Sequence, residues 1–181
     1  LMFVLSMRPS ESNTRIFAGA FSLVSVAIAA SFVIGHLPAI PWKLVAHGRY
    51  LVTYTEDRKK LYLGEGLNAS VAVTELNDGV RNFHVSGKVE ASSDPEDMRL
   101  HRMLGHMPAL LHPNPRSVLV VGCGAGVTAG SFTVYPSVKR IVICEIEPLI
   151  PRHVTEYFKG ENYNVVHDPR VEIVYDDARH F

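Results

Sequence analysis

Cysteine and net charge are both scarce in this sequence, and each scarcity excludes a class of protein. Cys123 and Cys144 are the only cysteines in 181 residues. Each lies in or beside an apolar run, so a disulfide framework is excluded and reduced, buried thiols are expected. Eighteen basic and eighteen acidic residues cancel, and no cluster of Lys or Arg provides an electrostatic footprint for nucleic acid. We therefore expect no nucleic-acid partner and a cytosolic location for the soluble part.

Metal ligands at suitable spacing are also missing. Six of the nine histidines have no spacing that would bring three side chains to one metal ion; they are His84, His106, His112, His153, His167 and His180. Taken singly, they are typical of structural or solvated side chains. We therefore expect no metal site.

Charged residues are absent from residues 16–42. As a helix with a rise of about 1.5 Å per residue, this stretch would be roughly 40 Å long, whereas a hydrocarbon core is about 30 Å thick. We predict a transmembrane helix over about 16–42, within a membrane region 1–43 whose residues 1–7 end an earlier span. A signal peptide and a buried soluble helix are the alternatives, and positive charge on both flanks leaves the topology open.

Short runs of alternating polarity follow the apolar stretch and predict a small antiparallel β domain over residues 44–92. Asn77, Asp78 and Gly79 tolerate a positive φ, so the last two runs are expected to form a hairpin. The predicted strands are Tyr50–Tyr54, Lys60–Leu63, Ser70–Thr74 and Asn82–Ser86.

Residues 93–181 have the pattern of an α/β domain with a parallel sheet. Asp94 as N-cap and Pro95 at the first helical position predict the start of a helix. Three apolar strands then alternate with helical stretches, which is typical of a parallel sheet covered on both faces; they are Ser117–Val121, Arg140–Cys144 and Val171–Tyr175. We predict a Rossmann-like fold of the class I S-adenosylmethionine type, incomplete at its C-terminus.

A glycine-rich turn follows the first of these strands. Gly122, Gly124 and Gly126 would let the backbone approach a ligand closely. Glu145 follows Gly122 by 23 residues, at the end of the second strand, where a carboxylate accepts hydrogen bonds from ribose hydroxyls. The alternative is that Glu145 only caps the next helix. No Lys follows the glycines as a nucleoside triphosphate site requires, so an adenosyl ligand without a triphosphate is expected.

Acidic residues also follow the third strand, as Asp176 and Asp177 before Ala178. Ligands of open parallel sheets gather at the carboxyl ends of the strands. An acid at this edge can accept a hydrogen bond from an adenine amino group. The alternative is a solvated pair of aspartates in a turn.

Taken together, residues 66–181 resemble the spermidine synthase family, which joins a small N-terminal β-sheet to a Rossmann-like domain. The matching stretches are Asp78–Asn82, Met103–Pro108, Val118–Gly126, Cys144–Glu147 and Asp168–Val171. Three further stretches resemble the subgroup whose synthase domain follows a multi-spanning membrane region; they are Gly66–Val73, Ser86–Lys88 and Asp97–Met98.

The resemblance implies transfer of the aminopropyl group of decarboxylated S-adenosylmethionine to a polyamine. It also implies that Glu145 holds the ribose, that Asp177 (beside Ala178) holds the adenine amino group, and that His101 lies beside the nucleotide. Asn82 stands where the family usually has Gln. Membrane lipid is the expected partner of the N-terminal span, a homodimer is plausible by analogy, and the protein is expected at the membrane with its catalytic domain in the cytoplasm.

Two departures from the family keep other functions open. Ala125 replaces an Asp of the glycine loop, and Leu100-His101-Arg102 replaces a Tyr-His-Glu triplet. A methyltransferase that uses S-adenosylmethionine and a non-catalytic, membrane-anchored nucleotide-binding module are therefore the alternatives. The chain begins at Leu1 rather than Met and stops at Phe181 directly after a strand, which is expected of a fragment. The resemblance assigns the catalytic Asp to a loop beyond Phe181, so residues 1–181 alone are expected to be inactive.

Overall fold

The computed structural model describes residues 11–38, 40–53 and 58–180, which divide into a helical unit before Ile40 and a second unit from Ile40 onward. The first unit contains helix α1, Glu11–His36. It ends two residues before Pro38, because a proline disfavours helical geometry in the residue before it. Within the described ranges, no helix combines the length and the apolar character that a membrane span needs.

This helix differs from the predicted transmembrane helix over about 16–42 at both ends. It begins at Glu11, so that Glu11 and Arg15 belong to it, and residues 42–47 form a separate helix, α2, Trp42–His47. The prediction of a membrane span thus finds no support in the part of the chain that the structure describes. The earlier span predicted to end within residues 1–7 lies outside the described residues.

The second unit begins with an antiparallel sheet in the order β1-β2-β3-β4. The predicted hairpin between β2 and β3 is present, and Gly79 in its turn has φ +86°. A second hairpin, between β3 and β4, was not predicted; Ser86 and Gly87 both have positive φ there, as in a type I′ turn. The strands are β1, Arg58–Glu65; β2, Ser70–Leu76; β3, Arg81–Val85; and β4, Lys88–Ser92.

The prediction of a strand at residues 50–54 is wrong for residues 50–53. Gly48–Thr53 is a 3-10 helix, and Tyr54 lies outside the described residues. The reason is tertiary: α2 packs on the antiparallel sheet with His47 buried. The backbones of Gly48 and Gly87 also approach each other so closely that a Cβ on Gly87 would lie 2.8 Å from Gly48. Contact with the sheet therefore overrides the local pattern of alternating polarity.

The predicted parallel sheet is confirmed, with the strand order β5-β6-β7. Helix α3, Pro95–Leu111, precedes it, and the Asp94 side chain caps the helix by accepting a hydrogen bond from the Glu96 N–H at 2.9 Å. Pro108 lies inside this helix, which continues to Leu111. The strands are β5, Ser117–Val121; β6, Arg140–Cys144; and β7, Val171–Val174.

Short helices connect these strands and hold the glycine loop in place. Helix α4 covers Val127–Ser131 and α5 covers Lys159–Asn162, after a π-helical turn at Ile150–Val154 and a 3-10 turn at Thr155–Phe158. Asn162 is buried and donates hydrogen bonds from Nδ2 to the carbonyl oxygens of Ala125 and Thr155, both at 2.9 Å. The Asn162 side chain therefore fixes the backbone of the loop that follows β5.

A continuous apolar core connects the two sheets. Buried side chains of β2 and β3 belong to the same cluster as those of β6 and the helical turns after it. The largest completely buried apolar side chains include Phe83, Phe158, Ile141 and Ile143. The antiparallel sheet is therefore packed on the parallel-sheet domain, and its β1–β2 turn contacts Glu147, just after β6.

Candidate active site

The loop after β5 has the conformation that its glycines predict. Gly122, Gly124 and Gly126 have φ values of +80°, +54° and +83°, a region that side chains with a Cβ rarely adopt. A Cβ added to Gly122 or Gly124 would meet no atom within 4 Å, whereas one on Gly126 would lie 3.1 Å from the Asn162 amide. The first two glycines thus face open space, which leaves the backbone accessible to a ligand.

Glu145 lies directly beside this loop. Its carboxylate is buried and accepts hydrogen bonds from the backbone N–H groups of Cys123, at 2.7 Å, and Glu147, at 2.9 Å. Each carboxylate oxygen has more than one acceptor site, so both oxygens can still accept bonds from ribose hydroxyls. Two acids follow β6, Glu145 and Glu147. Glu147 caps the helical turn that comes next, because its carboxylate accepts a hydrogen bond from the Leu149 N–H at 3.2 Å. The geometry therefore disfavours a purely capping role for Glu145.

Glu147 also connects the antiparallel sheet to this edge. Its Oε2 accepts hydrogen bonds from the backbone N–H groups of Asn68 and Ala69, in the β1–β2 turn. Burial by itself would raise the pKa of Glu147, but the bonds from Asn68, Leu149 and Ala69 hold this pKa below its usual range. A Cβ on Gly66 would collide with the carboxylate. The β1–β2 turn is thus fixed against the segment that carries Glu145.

A cavity of about 210 Å³ opens at the carboxyl ends of the three parallel strands. It brings together four of the predicted site residues, Gly122, Glu145, Asp177 and Ala178. The remaining lining residues are Val121, Cys144, Ile146 and Asp176. We call this space the adenosyl cavity.

Asp177 is held as an anion at the edge of this cavity. It accepts hydrogen bonds from the Arg179 guanidinium and, at 3.0 Å, from the Arg179 backbone N–H. These bonds lower the pKa of Asp177 well below its usual range. An ionised carboxylate only accepts hydrogen bonds, which suits an adenine amino group. The predicted adenine contact of Asp177 stays a prediction.

A second cavity, of about 300 Å³, lies beside the glycine loop. We call it the loop cavity, because residues 122–125 form much of its wall. Gly124 and the predicted site residue His101, on α3, line it. Glu90, on β4, also lines it, and no sequence pattern predicted this residue as part of the site. Val121 and Gly122 line both cavities. The only sequence signal for Glu90 is the Ser86-Gly87 dipeptide, which is typical of a tight turn and would place a further strand, with Glu90 in it, after that turn.

Asn82 is the predicted site residue that lies apart from the others. It is buried in β3, opposite Thr74 and Ser92. Within the described part of the chain, its side chain lines neither of the two cavities. The structure therefore gives no support to a nucleotide contact by Asn82.

The two cysteines are free and buried, as expected of reduced structural thiols. Burial, together with the nearby charge of Glu145, raises the pKa of Cys123 to about 12. Cys123 therefore stays a neutral thiol and is not an activated nucleophile. No cluster of three His, Cys, Asp or Glu that could hold a metal ion occurs among the described residues, and the absence of a metal stays an expectation.

Comparison with known proteins shows which domains this part of the chain resembles. Residues 97–181 match the family model of the spermine/spermidine synthase domain. The chain is 38% identical over 146 residues to a polyamine aminopropyltransferase of Leptospira biflexa, a match that covers 72% of this chain and 50% of that protein. It is 29% identical over 127 residues to the polyamine aminopropyltransferase of Thermotoga petrophila, with coverages of 70% and 42%.

Solved structures give the same result. A crystal structure of spermidine synthase in complex with the transition-state analogue AdoDATO matches with a TM-score of 0.60 and 31% identity, covering 66% of this chain and 41% of that one. The spermidine synthase of Thermotoga maritima matches equally well. The chain thus spans about half the length, or less, of the relatives that it matches. Residues 97–181 thus match the spermine/spermidine synthase domain, and about two thirds of the chain is similar in sequence and fold to polyamine aminopropyltransferases and spermidine synthases.

Proposed function

We propose that this chain binds decarboxylated S-adenosylmethionine and contributes to the transfer of its aminopropyl group to a polyamine. The observation that supports this most strongly is the adenosyl cavity, where the buried Glu145 carboxylate, the open backbone at Gly122 and the anionic Asp177 meet. The relatives named above are polyamine aminopropyltransferases, which favours this donor over other adenosyl compounds.

In the proposed complex, Glu145 accepts hydrogen bonds from the ribose hydroxyls, and Asp177 accepts one from the adenine amino group. The polyamine nitrogen then attacks the carbon next to the sulfonium with its lone pair. The carbon–sulfur bond breaks, its electrons go to sulfur, and the products are methylthioadenosine and an ammonium that releases a proton. Most of the rate enhancement comes from positioning, together with a carboxylate that accepts the proton. We assign that carboxylate to none of the residues 1–181.

A methyltransferase is the second candidate, because the glycine loop has Ala125 where the family has Asp. Ala125 lines the loop cavity, so the missing carboxylate changes the surface that a donor would meet. A non-catalytic nucleotide-binding module would tolerate the same change. Both alternatives use the adenosyl cavity. The methyltransferase differs from the first candidate in its donor, which also carries a carboxylate on the arm beyond the ribose, whereas the binding module transfers no group.

The membrane location, the lipid partner and the homodimer also remain proposals. The membrane location and the lipid partner are supported by the resemblance of Gly66–Val73, Ser86–Lys88 and Asp97–Met98 to the membrane-fused subgroup. The homodimer is supported only by analogy with the spermidine synthase family. In this proposal the unit from Ile40 onward lies on the cytoplasmic side.

The products of the two candidate reactions distinguish them. Aminopropyl transfer leaves methylthioadenosine, whereas methyl transfer leaves S-adenosylhomocysteine, so a site binds its own product well. We expect isothermal titration of the full chain to show that methylthioadenosine binds at least about tenfold more tightly than S-adenosylhomocysteine, a difference of about 1.4 kcal/mol in binding free energy. Tighter binding of S-adenosylhomocysteine would favour the methyltransferase. Binding of neither compound at millimolar concentration would contradict the proposed function.

A further inference from the structure

We propose that Glu90 binds the positively charged aminopropyl arm of the donor and so selects decarboxylated over intact S-adenosylmethionine. The inference rests on the proposed function, because it takes the adenosyl group to occupy the adenosyl cavity. It adds a specificity-determining residue from the antiparallel sheet, outside the glycine loop and the ends of the parallel strands.

The position of Glu90 follows from the arrangement of the two cavities. They share the lining residues Val121 and Gly122 and are therefore neighbours. In the proposed complex, a ligand whose ribose lies beside Glu145 continues past Gly122 into the loop cavity. The sulfur of such a nucleoside is attached next to the ribose, and the aminopropyl arm extends from the sulfur. The arm therefore enters the space that Glu90 lines from β4 and His101 lines from α3.

The charge of the loop cavity favours an arm with an ammonium group and no carboxylate. Of the described residues that line it, Glu90 is the only acid and His101 is the only basic residue; the others are apolar, glycine, Cys123 and Thr128. A terminal ammonium would thus find one anionic partner. The carboxylate of intact S-adenosylmethionine would lie near the same anion without an Arg or Lys among the described lining residues to neutralise it.

Lys88 gives a way to test this charge without altering the cavity wall. It lies two residues before Glu90 on the same strand, and its Nζ is 3.0 Å from Glu90 Oε1. Lys88 lines a different cavity, together with Arg49 and Glu90, and is absent from the described lining of the loop cavity. Both partners of this ion pair are partly exposed. A donor ammonium would compete with Lys88 for the Glu90 carboxylate, so removal of Lys88 should strengthen binding.

The test measures the dissociation constants of decarboxylated S-adenosylmethionine, intact S-adenosylmethionine and methylthioadenosine for the full chain and three variants. Glu90→Gln should weaken binding of the decarboxylated donor about tenfold and narrow its advantage over the intact compound. It should change the dissociation constant of methylthioadenosine, which has no aminopropyl arm, by less than about twofold. Lys88→Gln should tighten binding of the decarboxylated donor two- to threefold. Glu75→Gln, on β2 of the same sheet and weakly paired with Lys59, is the control and should change none of the constants.

Opposite effects of Glu90→Gln and Lys88→Gln on the donor, with constant affinity for methylthioadenosine, would support the proposal. It would be overturned if the wild type bound methylthioadenosine but Glu90→Gln left the affinity for the decarboxylated donor unchanged. It would also be overturned if Glu90→Gln weakened the binding of the decarboxylated donor and of methylthioadenosine equally, since equal losses indicate a structural role for Glu90. Absence of methylthioadenosine binding by the wild type would instead contradict the proposed function, and the inference with it.

Discussion

Replacing Glu145 by alanine should weaken methylthioadenosine binding at least about 100-fold. Hydrogen bonds to a charged group contribute about 1.5–3 kcal/mol each, and two such bonds to the ribose would be lost. Glu147→Ala should weaken binding less, because its carboxylate faces Asn68 and Ala69 rather than the adenosyl cavity. Isothermal titration of both variants measures the difference. Equal losses would contradict the assignment of the ribose contact to Glu145.

A control is needed because the Glu145 carboxylate also accepts bonds from the Cys123 and Glu147 N–H groups. Leaving buried N–H groups unpaired destabilises the fold, so thermal unfolding must accompany the titration. Glu145→Gln keeps the side-chain volume and one acceptor oxygen, and should also lose affinity while remaining folded. Glu172→Ala removes an exposed carboxylate from β7 that pairs with Arg140, and should leave nucleoside binding unchanged.

The free energy of unfolding should fall by up to about 3 kcal/mol as the pH drops from 6.5 to 4, because of His84. Burial, the nearby His47 and the charge of Arg58 lower the pKa of His84 to about 4. In the unfolded chain the His84 imidazole binds a proton near pH 6.5, whereas in the folded chain it stays neutral until the pH approaches 4. The free energy of unfolding therefore keeps its full value above pH 6.5 and decreases as the pH falls toward 4. One pH unit corresponds to about 1.4 kcal/mol.

Chemical unfolding between pH 4 and 7.5 measures the slope of the free energy of unfolding against pH. His84→Gln, which has no titrating group, should flatten the slope, although loss of packing and of the 2.8 Å bond to Thr74 lowers overall stability. The slope is the relevant quantity, since a purely structural loss would shift the curve without changing its shape. His167→Gln, at an exposed position, should preserve the slope. A wild-type slope that persists in His84→Gln would contradict the assignment; His47, 5.0 Å from His84, would then be its most direct alternative source.

The sequence was sufficient to predict how Gly122, Glu145 and Asp177 come together. Strand periodicity is local, and the carboxyl ends of neighbouring parallel strands meet at one edge. A residue directly after each strand is therefore predictably close to the others, even when 55 residues separate Gly122 from Asp177.

Glu90 and Glu147 could not be predicted in the same way. Glu90 reaches the loop cavity because β4 forms a hairpin with β3 and the sheet packs against the parallel domain. Glu147 contacts Asn68 across 79 positions of the chain. Such contacts depend on how two sheets pack, which no short-range pattern encodes. The 3-10 helix at Gly48–Thr53 also depends on a tertiary contact, the close approach of Gly48 to Gly87. The alternating polarity of residues 50–54 had predicted a strand there.

The central claim, that the ends of the three parallel strands bind an adenosyl group, is tested most directly by a crystal structure of the chain with methylthioadenosine. We predict ribose hydroxyls within about 3.2 Å of the Glu145 carboxylate, adenine between Ile146 and Asp177, and the methylthio group pointing past Gly122 toward Glu90. A nucleoside bound at another surface, or a ribose that leaves the Glu145 carboxylate without a contact, would contradict this account.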